Sequence, residues 1–142
     1  MPETPDLEPF VTAQAPVIDQ ALAELRAGHK RTHWMWFVFP QRRELGRSET
    51  ARRYGIVSLD HAAAYLAHPV LGPRLRACVE VLLALPPRDA HAIFGSPDDL
   101  KLRSCLTLFD SVAGEDKLFR QALERYYGGE PDPATLALSD PL

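Results

Sequence analysis

Both tryptophans of the chain and two of its six phenylalanines fall within residues 30–41, Lys-Arg-Thr-His-Trp-Met-Trp-Phe-Val-Phe-Pro-Gln. So much apolar surface in one stretch has to be buried, and the rest of the fold must close around it. As a strand it would turn His33, Met35, Phe37 and Phe39 to one side and Trp34, Trp36 and Val38 to the other, and so need cover on both faces. No other stretch offers it a partner strand, and an unpaired strand leaves its backbone groups unsatisfied. The segment is therefore expected to be a short buried helical piece, with Thr32 as N-cap and Pro40 as its stop. Buried indole N–H groups need acceptors, and a cavity that offers them to Trp34 and Trp36 can also hold a ligand.

Elsewhere apolar residues recur at spacings of three and four, the signature of amphipathic helices. Asp6 is placed to cap a first helix from Leu7. Val17, Ile18, Ala21, Leu22 and Leu25 mark a helix over 17–27 that ends at Gly28. Ser48 and Ser58 precede two more, with His61 in an exposed first turn and His68 where a cationic imidazole meets a helix C-terminus. Leu71, Leu75, Cys78, Val79, Leu82 and Leu83 form the main core wall on a long helix that stops before Pro86-Pro87. Residues 89–94 make a short helix. Ser96-Pro97-Asp98-Asp99 reads as N-cap, first-position proline and two dipole-matched acids, opening a helix to about Val112. A last helix over 116–127 ends at Gly128-Gly129, before a capped turn at Asp132-Pro133. The pattern predicts an all-α fold, a compact multihelical single domain of six to eight helices over 6–138, with a disordered lead at 1–5 and a frayed tail at 139–142.

The chain of 142 residues is long enough to fold without a metal or disulfide staple. Its charge of −3 is spread over interleaved acids and bases, which disfavours nucleic acid and anionic membranes as partners. No apolar run nears the length of a membrane span. Cys78 and Cys105 are isolated thiols inside helical patterns, as in a reduced cytoplasmic protein, and no spacing suggests a metal site. Phosphate-binding glycine loops, metalloprotease helices and nucleophile elbows are absent, so no motif names a cofactor.

Three runs carry a resemblance: residues 30–41, the run Ala-His-Pro-Val-Leu-Gly-Pro-Arg-Leu at 67–75, and the run Ile-Phe-Gly-Ser-Pro-Asp-Asp-Leu-Lys-Leu-Arg-Ser at 93–104. Together they resemble a mainly bacterial domain-of-unknown-function family whose members are sometimes labelled calpastatin-like, although nothing in the chain suggests a protease inhibitor. The resemblance spans roughly residues 6–138 and implies a compact all-helical domain with no established activity. Thr32 and Cys105 depart from the family pattern, which usually has serine at both places, and Cys105 argues against a required hydroxyl there.

The functional candidates sit around the anchor. Lys30 and Arg31 precede it, and Arg42, Arg43 and Arg47 follow it on a polar loop, an electropositive rim able to attract phosphate or carboxylate. On the helix after residue 97, Asp99, Arg103, Thr107 and Asp110 share one stripe. Asp99 and Arg103 can form an i, i+4 pair that either decorates the surface or fixes Arg103 as a guanidinium fork for an anion, while Lys101 projects away. The small-molecule reading gives Trp34 or Trp36 a stacking role, His33 a proton to accept or donate, Gln41 a polar contact, Arg103 with Lys30 or Arg31 the anion, and Asp99 the orientation of Arg103. A ligand with a flat ring and a phosphate or carboxylate, such as a nucleotide derivative, fits those groups. The alternative is a non-enzymatic helical interaction module in which the same residues are core. The reaction, if there is one, stays open.

Overall fold

The structure, a computed structural model, describes residues 6–138. The expectations for 1–5 and 139–142 lie outside the described residues. Ten α-helices follow one another: α1 Glu8–Gln14, α2 Ile18–Arg26, α3 Met35–Val38, α4 Glu49–Arg53, α5 Leu59–Ala67, α6 Leu71–Ala84, α7 Ala90–Phe94, α8 Asp98–Val112, α9 Leu118–Tyr127 and α10 Pro133–Ala137. A single 3-10 turn, Arg43–Leu45, lies between α3 and α4, and no strand occurs among the described residues. The architecture is all-α, as the apolar spacing indicates. It has more helices than six to eight because α3, α4, α7 and α10 are pieces of one or two turns, too short to produce a periodic signal.

α8 is the central element. It packs against α5, α7, α9 and α10, while α6 packs against α2, α5 and α9. Leu102 and every residue from Ser104 to Phe109 are buried, so α8 is covered all round through its middle. It shares the wall role expected of α6 alone. Phe109 joins Tyr65 of α5 and Phe119 of α9, with ring centroids 5.2 and 6.0 Å away. Ser48, Ser58, Asp89 and Asp132 cap α4, α5, α7 and α10 by accepting a backbone N–H of the first turn.

The anchor is helical, but only as the single turn α3. So short a helix satisfies few of its own carbonyls. The Phe37 carbonyl accepts from Gln14 Nε2 of α1 at 2.6 Å and from the Tyr65 hydroxyl of α5 at 3.2 Å. Past Pro40 the chain extends and meets its own later segment: Arg43 N–H donates to Ile56 O and Ile56 N–H to Gln41 O, both at 2.9 Å. This parallel bridge is tight enough that a Cβ on Gly55 would lie 2.4 Å from Arg43 Cα, so only glycine fits.

Several local expectations are corrected. Thr32 does not cap α3; Trp34 occupies that position, and the Thr32 hydroxyl is bound elsewhere. Ser96 does not cap α8. The Asp99 N–H that it would have received already donates to Gly95 O at 2.9 Å, and the helix starts behind Pro97. Asp6 accepts the Glu8 N–H from one place before the cap, which is Leu7. His61 is buried rather than exposed, because its Nδ1 accepts the Val57 N–H at 3.0 Å and its ring meets Phe10. His68 stands at the C-cap of α5, where the sequence places it, but its ring turns to the next helix. Its Nδ1 accepts the N–H groups of Val70 and Leu71 at 3.1 and 3.2 Å, so it serves the start of α6.

Candidate functional site

The geometry around the anchor is set by a residue that sequence patterns had left unremarked. Glu24 lies on the buried face of α2 with Ala21 and Leu25, and only 4% of it is exposed. Gly28, at φ 71°, turns the chain back over that face. Glu24 Oε1 then accepts the N–H groups of Arg31 at 2.7 Å and Thr32 at 2.9 Å and the Trp34 indole N–H at 3.0 Å. Oε2 accepts the Thr32 hydroxyl at 2.6 Å and Gln20 Nε2 at 2.9 Å. Burial on its own would raise the carboxyl. The Thr32 hydroxyl, the Arg31 and Thr32 amides and Gln20 outweigh it and hold the group at about 2, against an ordinary 4.5. Serine or threonine serves equally at 32, since only the hydroxyl is used. The spacing 21, 24, 25 was the available signal, for it puts a carboxylate on an apolar face.

That clasp separates the two tryptophans. Trp34 is 1% exposed, its ring 6.1 Å from Phe39 and 6.5 Å from Phe94. Trp36 remains half-buried, with Met35, Phe39, Gln41, Ala51 and Lys101 around a small slot beside it. The exposed His33 ring lies 6.4 Å from the Trp36 ring. Gln41, Ala51 and Lys101 also line a cleft of about 650 Å³, walled by the loop bearing Arg47 and Ser48, by Pro97, Leu100 and Ser104 of the α8 edge, and by Asp132 and Ala134.

The charges nearby are paired in sequence. Lys30 Nζ is 3.0 Å from Asp98 Oδ2 and 5.2 Å from the Trp34 centroid, and its side chain is largely buried. Asp98 Oδ1 also lies 3.6 Å from Lys101 Nζ, which stands 6.0 Å from the Trp36 centroid. One carboxylate thus serves two ammonium groups, leaving an excess positive charge beside Trp36. Asp132 is ionised more readily than usual. Burial opposes this, but the Thr135 and Ser104 hydroxyls prevail, and both bind its Oδ2.

Of the sequence candidates, Trp36, Gln41 and His33 gather here. Trp34 and Lys30 form the layer behind. Arg31 gives its backbone N–H to Glu24 and leaves its side chain exposed. The expected Asp99–Arg103 pair does not form. The Asp99 carboxylate faces His91 at 3.4 Å, and its backbone carbonyl accepts the Tyr127 hydroxyl. Arg103 donates Nε to Glu130 O and Nη2 to Pro131 O, both at 2.9 Å, and Thr107 Oγ1 accepts the Asp132 N–H at 2.9 Å. The polar stripe of α8 thereby straps the C-terminal arm to the helix. The cation beside Trp36 is Lys101, which stands on a different stripe with Pro97 and Ser104. No cluster of His, Cys, Asp and Glu able to hold a metal occurs among the described residues, and no helix is long and apolar enough to cross a membrane.

A family model described as a protein of unknown function, DUF1810, matches residues 4–139. The chain belongs to the DUF1810 family. That match takes in the anchor, the α4 loop, α8 and the C-terminal arm, so every wall of the cleft lies within the DUF1810 region. The chain is similar to the conserved hypothetical protein Rv1873 from Mycobacterium tuberculosis, a crystal structure with 53% identity over 94% of this chain and 96% of that one, at a TM-score of 0.92. No curated protein matches it.

Proposed function

We propose that the cleft beside Trp36 binds a small anionic molecule carrying a flat, nucleotide-like ring. The observation that carries this reading is the placement of the Lys101 ammonium 6.0 Å from the Trp36 ring, on a slot shared with Gln41. The ring stacks on Trp36, flanked by His33, and the anion meets Lys101, with Arg47 on the facing wall. Gln41 orients the ligand through its amide. Lys30 and Trp34 support the site from behind, Lys30 by sharing Asp98 with Lys101. Arg103 and Asp99 stand outside it, because their hydrogen bonds hold other segments.

A thermal-shift screen of nucleoside monophosphates and aryl carboxylates tests this, since a ligand of the folded state must raise its melting point. At least one compound should stabilise the wild type, and Lys101→Gln and Trp36→Leu should each diminish the shift while Arg103→Lys keeps it. Equal shifts in all four proteins, or none in the wild type, would reject the site. The second reading, a helical interaction module, draws on the exposed Leu100 and Leu136, 58% and 52% accessible, at the α8 and α10 edges. It becomes the better one if no small anion binds.

A further inference from the structure

The short helix α4 turns Ala51 toward the Trp36 cleft and Glu49, Thr50, Arg52 and Arg53 toward a second cavity of about 690 Å³. Phe10, Pro9 and Val57 give that cavity apolar walls, and Arg43 brings a third guanidinium. His61 also lines it, and is 4% exposed. Its Nδ1 accepts the Val57 N–H at 3.0 Å, so the ring proton resides on Nε2. That N–H is buried and has no acceptor among the described residues. Burial also lowers the imidazole's pKa from 6.5, so at neutral pH the ring is an uncharged donor. A buried donor without an acceptor is costly enough that an unseen partner is its usual explanation.

The three arginines are exposed. None of Arg43, Arg52 and Arg53 has a carboxylate within ion-pair distance among the described residues, although Asp6 and Glu49 stand on the same cavity. Arg52 spends only its Nε, on Gly46 O at 3.3 Å, and Arg53 lies over the Tyr54 ring at 5.7 Å. Three guanidinium groups and one neutral N–H donor are complementary to a tetrahedral dianion, which can accept from all of them. The cavity far exceeds a bare anion, and its apolar wall suits an organic substituent.

We propose that this cavity is a second ligand site, distinct from the Trp36 cleft, which takes the phosphate group of a small phosphate monoester on Arg43, Arg52, Arg53 and the His61 Nε2–H. Thr50 adds a hydroxyl at the rim, and Phe10 and Val57 receive the ester's carbon substituent.

Methyl phosphate is a suitable probe because it carries no ring to stack on Trp36. The experiment follows the His61 Nε2–H by long-range nitrogen-15 NMR during a methyl phosphate titration, with affinity measured by calorimetry. The wild type should show a saturable movement of the His61 signal. Arg43→Gln, at an exposed position, should weaken binding about tenfold, the loss of one charge-assisted contact. Arg120→Gln removes an arginine at 3.4 Å from Asp110, far along the chain from this cavity, and should bind as the wild type does. A His61 signal that stays still at saturating methyl phosphate overturns the proposal. So does an Arg43→Gln protein that binds as tightly as the wild type, or an Arg120→Gln protein that loses as much affinity as Arg43→Gln. None of these results bears on the Trp36 cleft.

Discussion

Glu24 shows how one side chain can fix a segment that cannot fix itself. Replacing it by glutamine keeps the shape but removes the charge and presents an N–H₂ to groups that are already donors. Glu24→Gln should therefore destabilise the protein by about 2–4 kcal/mol. The same carboxylate shapes the acid response. Its folded pKa, about 2, lies below the ordinary 4.5, so its contribution is complete above that value and is lost as pH falls from 4.5 towards 2. Equilibrium unfolding in urea at a series of pH values should show that acid limb in the wild type, and a shallower one in Glu24→Gln. The tryptophans divide in the same manner: Trp34→Ala should cost about 3–5 kcal/mol, and Trp36→Ala less than half of that, because only the first ring is sealed. Similar losses for both would mean that Trp36 is core and the slot beside it has no access. At this scale the sequence was legible in kind more than in partner. It marked Trp34 and Trp36 as the pair that matters, and nothing in their spacing says which of them Glu24 will claim.

At the scale of elements, the long helices were readable because their apolar residues repeat over several turns. α2, α6, α8 and α9 stand close to the bounds that periodicity and glycine or proline stops suggest. The short pieces α3, α4, α7 and α10 take their form from tertiary partners such as the Gln14 amide and Tyr65 hydroxyl on Phe37 O, which local sequence does not reveal. The α8 stripe illustrates the limit. Asp99, Arg103 and Thr107 do share a face, but Arg103 and Thr107 bind backbone of a segment more than twenty residues later, where an i, i+4 rule sees only each other. Arg103→Ala should then free the arm: amide hydrogen exchange at residues 130–138 should accelerate while the α5, α6 and α8 core stays protected. Unchanged exchange in the arm would show that its apolar contacts suffice.

For the whole molecule, the buried cluster that runs from Phe10 to Leu123 draws on eight of the ten helices, all but α4 and α10, and on the chain around the anchor. That continuity leads us to propose one cooperative folding unit. Cys78 and Cys105 lie inside it as free thiols, the first pushed up to about 12 by burial and the second raised well above its usual value. Thermal unfolding should be a single transition with the same midpoint in the presence and absence of dithiothreitol, and a midpoint that falls with reductant would contradict the free thiols.

The central claim is that the anchor has a sealed half and an open half, and that the open half is a binding site. Fluorescence titration with a panel of nucleoside monophosphates tests it most directly, because Trp34 and Trp36 are the only tryptophans of the chain. At least one nucleotide of the panel should give saturable quenching in the wild type. Trp36→Phe should abolish it, since the remaining Trp34 is 1% exposed, and Trp34→Phe, which keeps Trp36, should preserve it. Quenching that persists undiminished in Trp36→Phe, or its absence across the panel in the wild type, would contradict the claim.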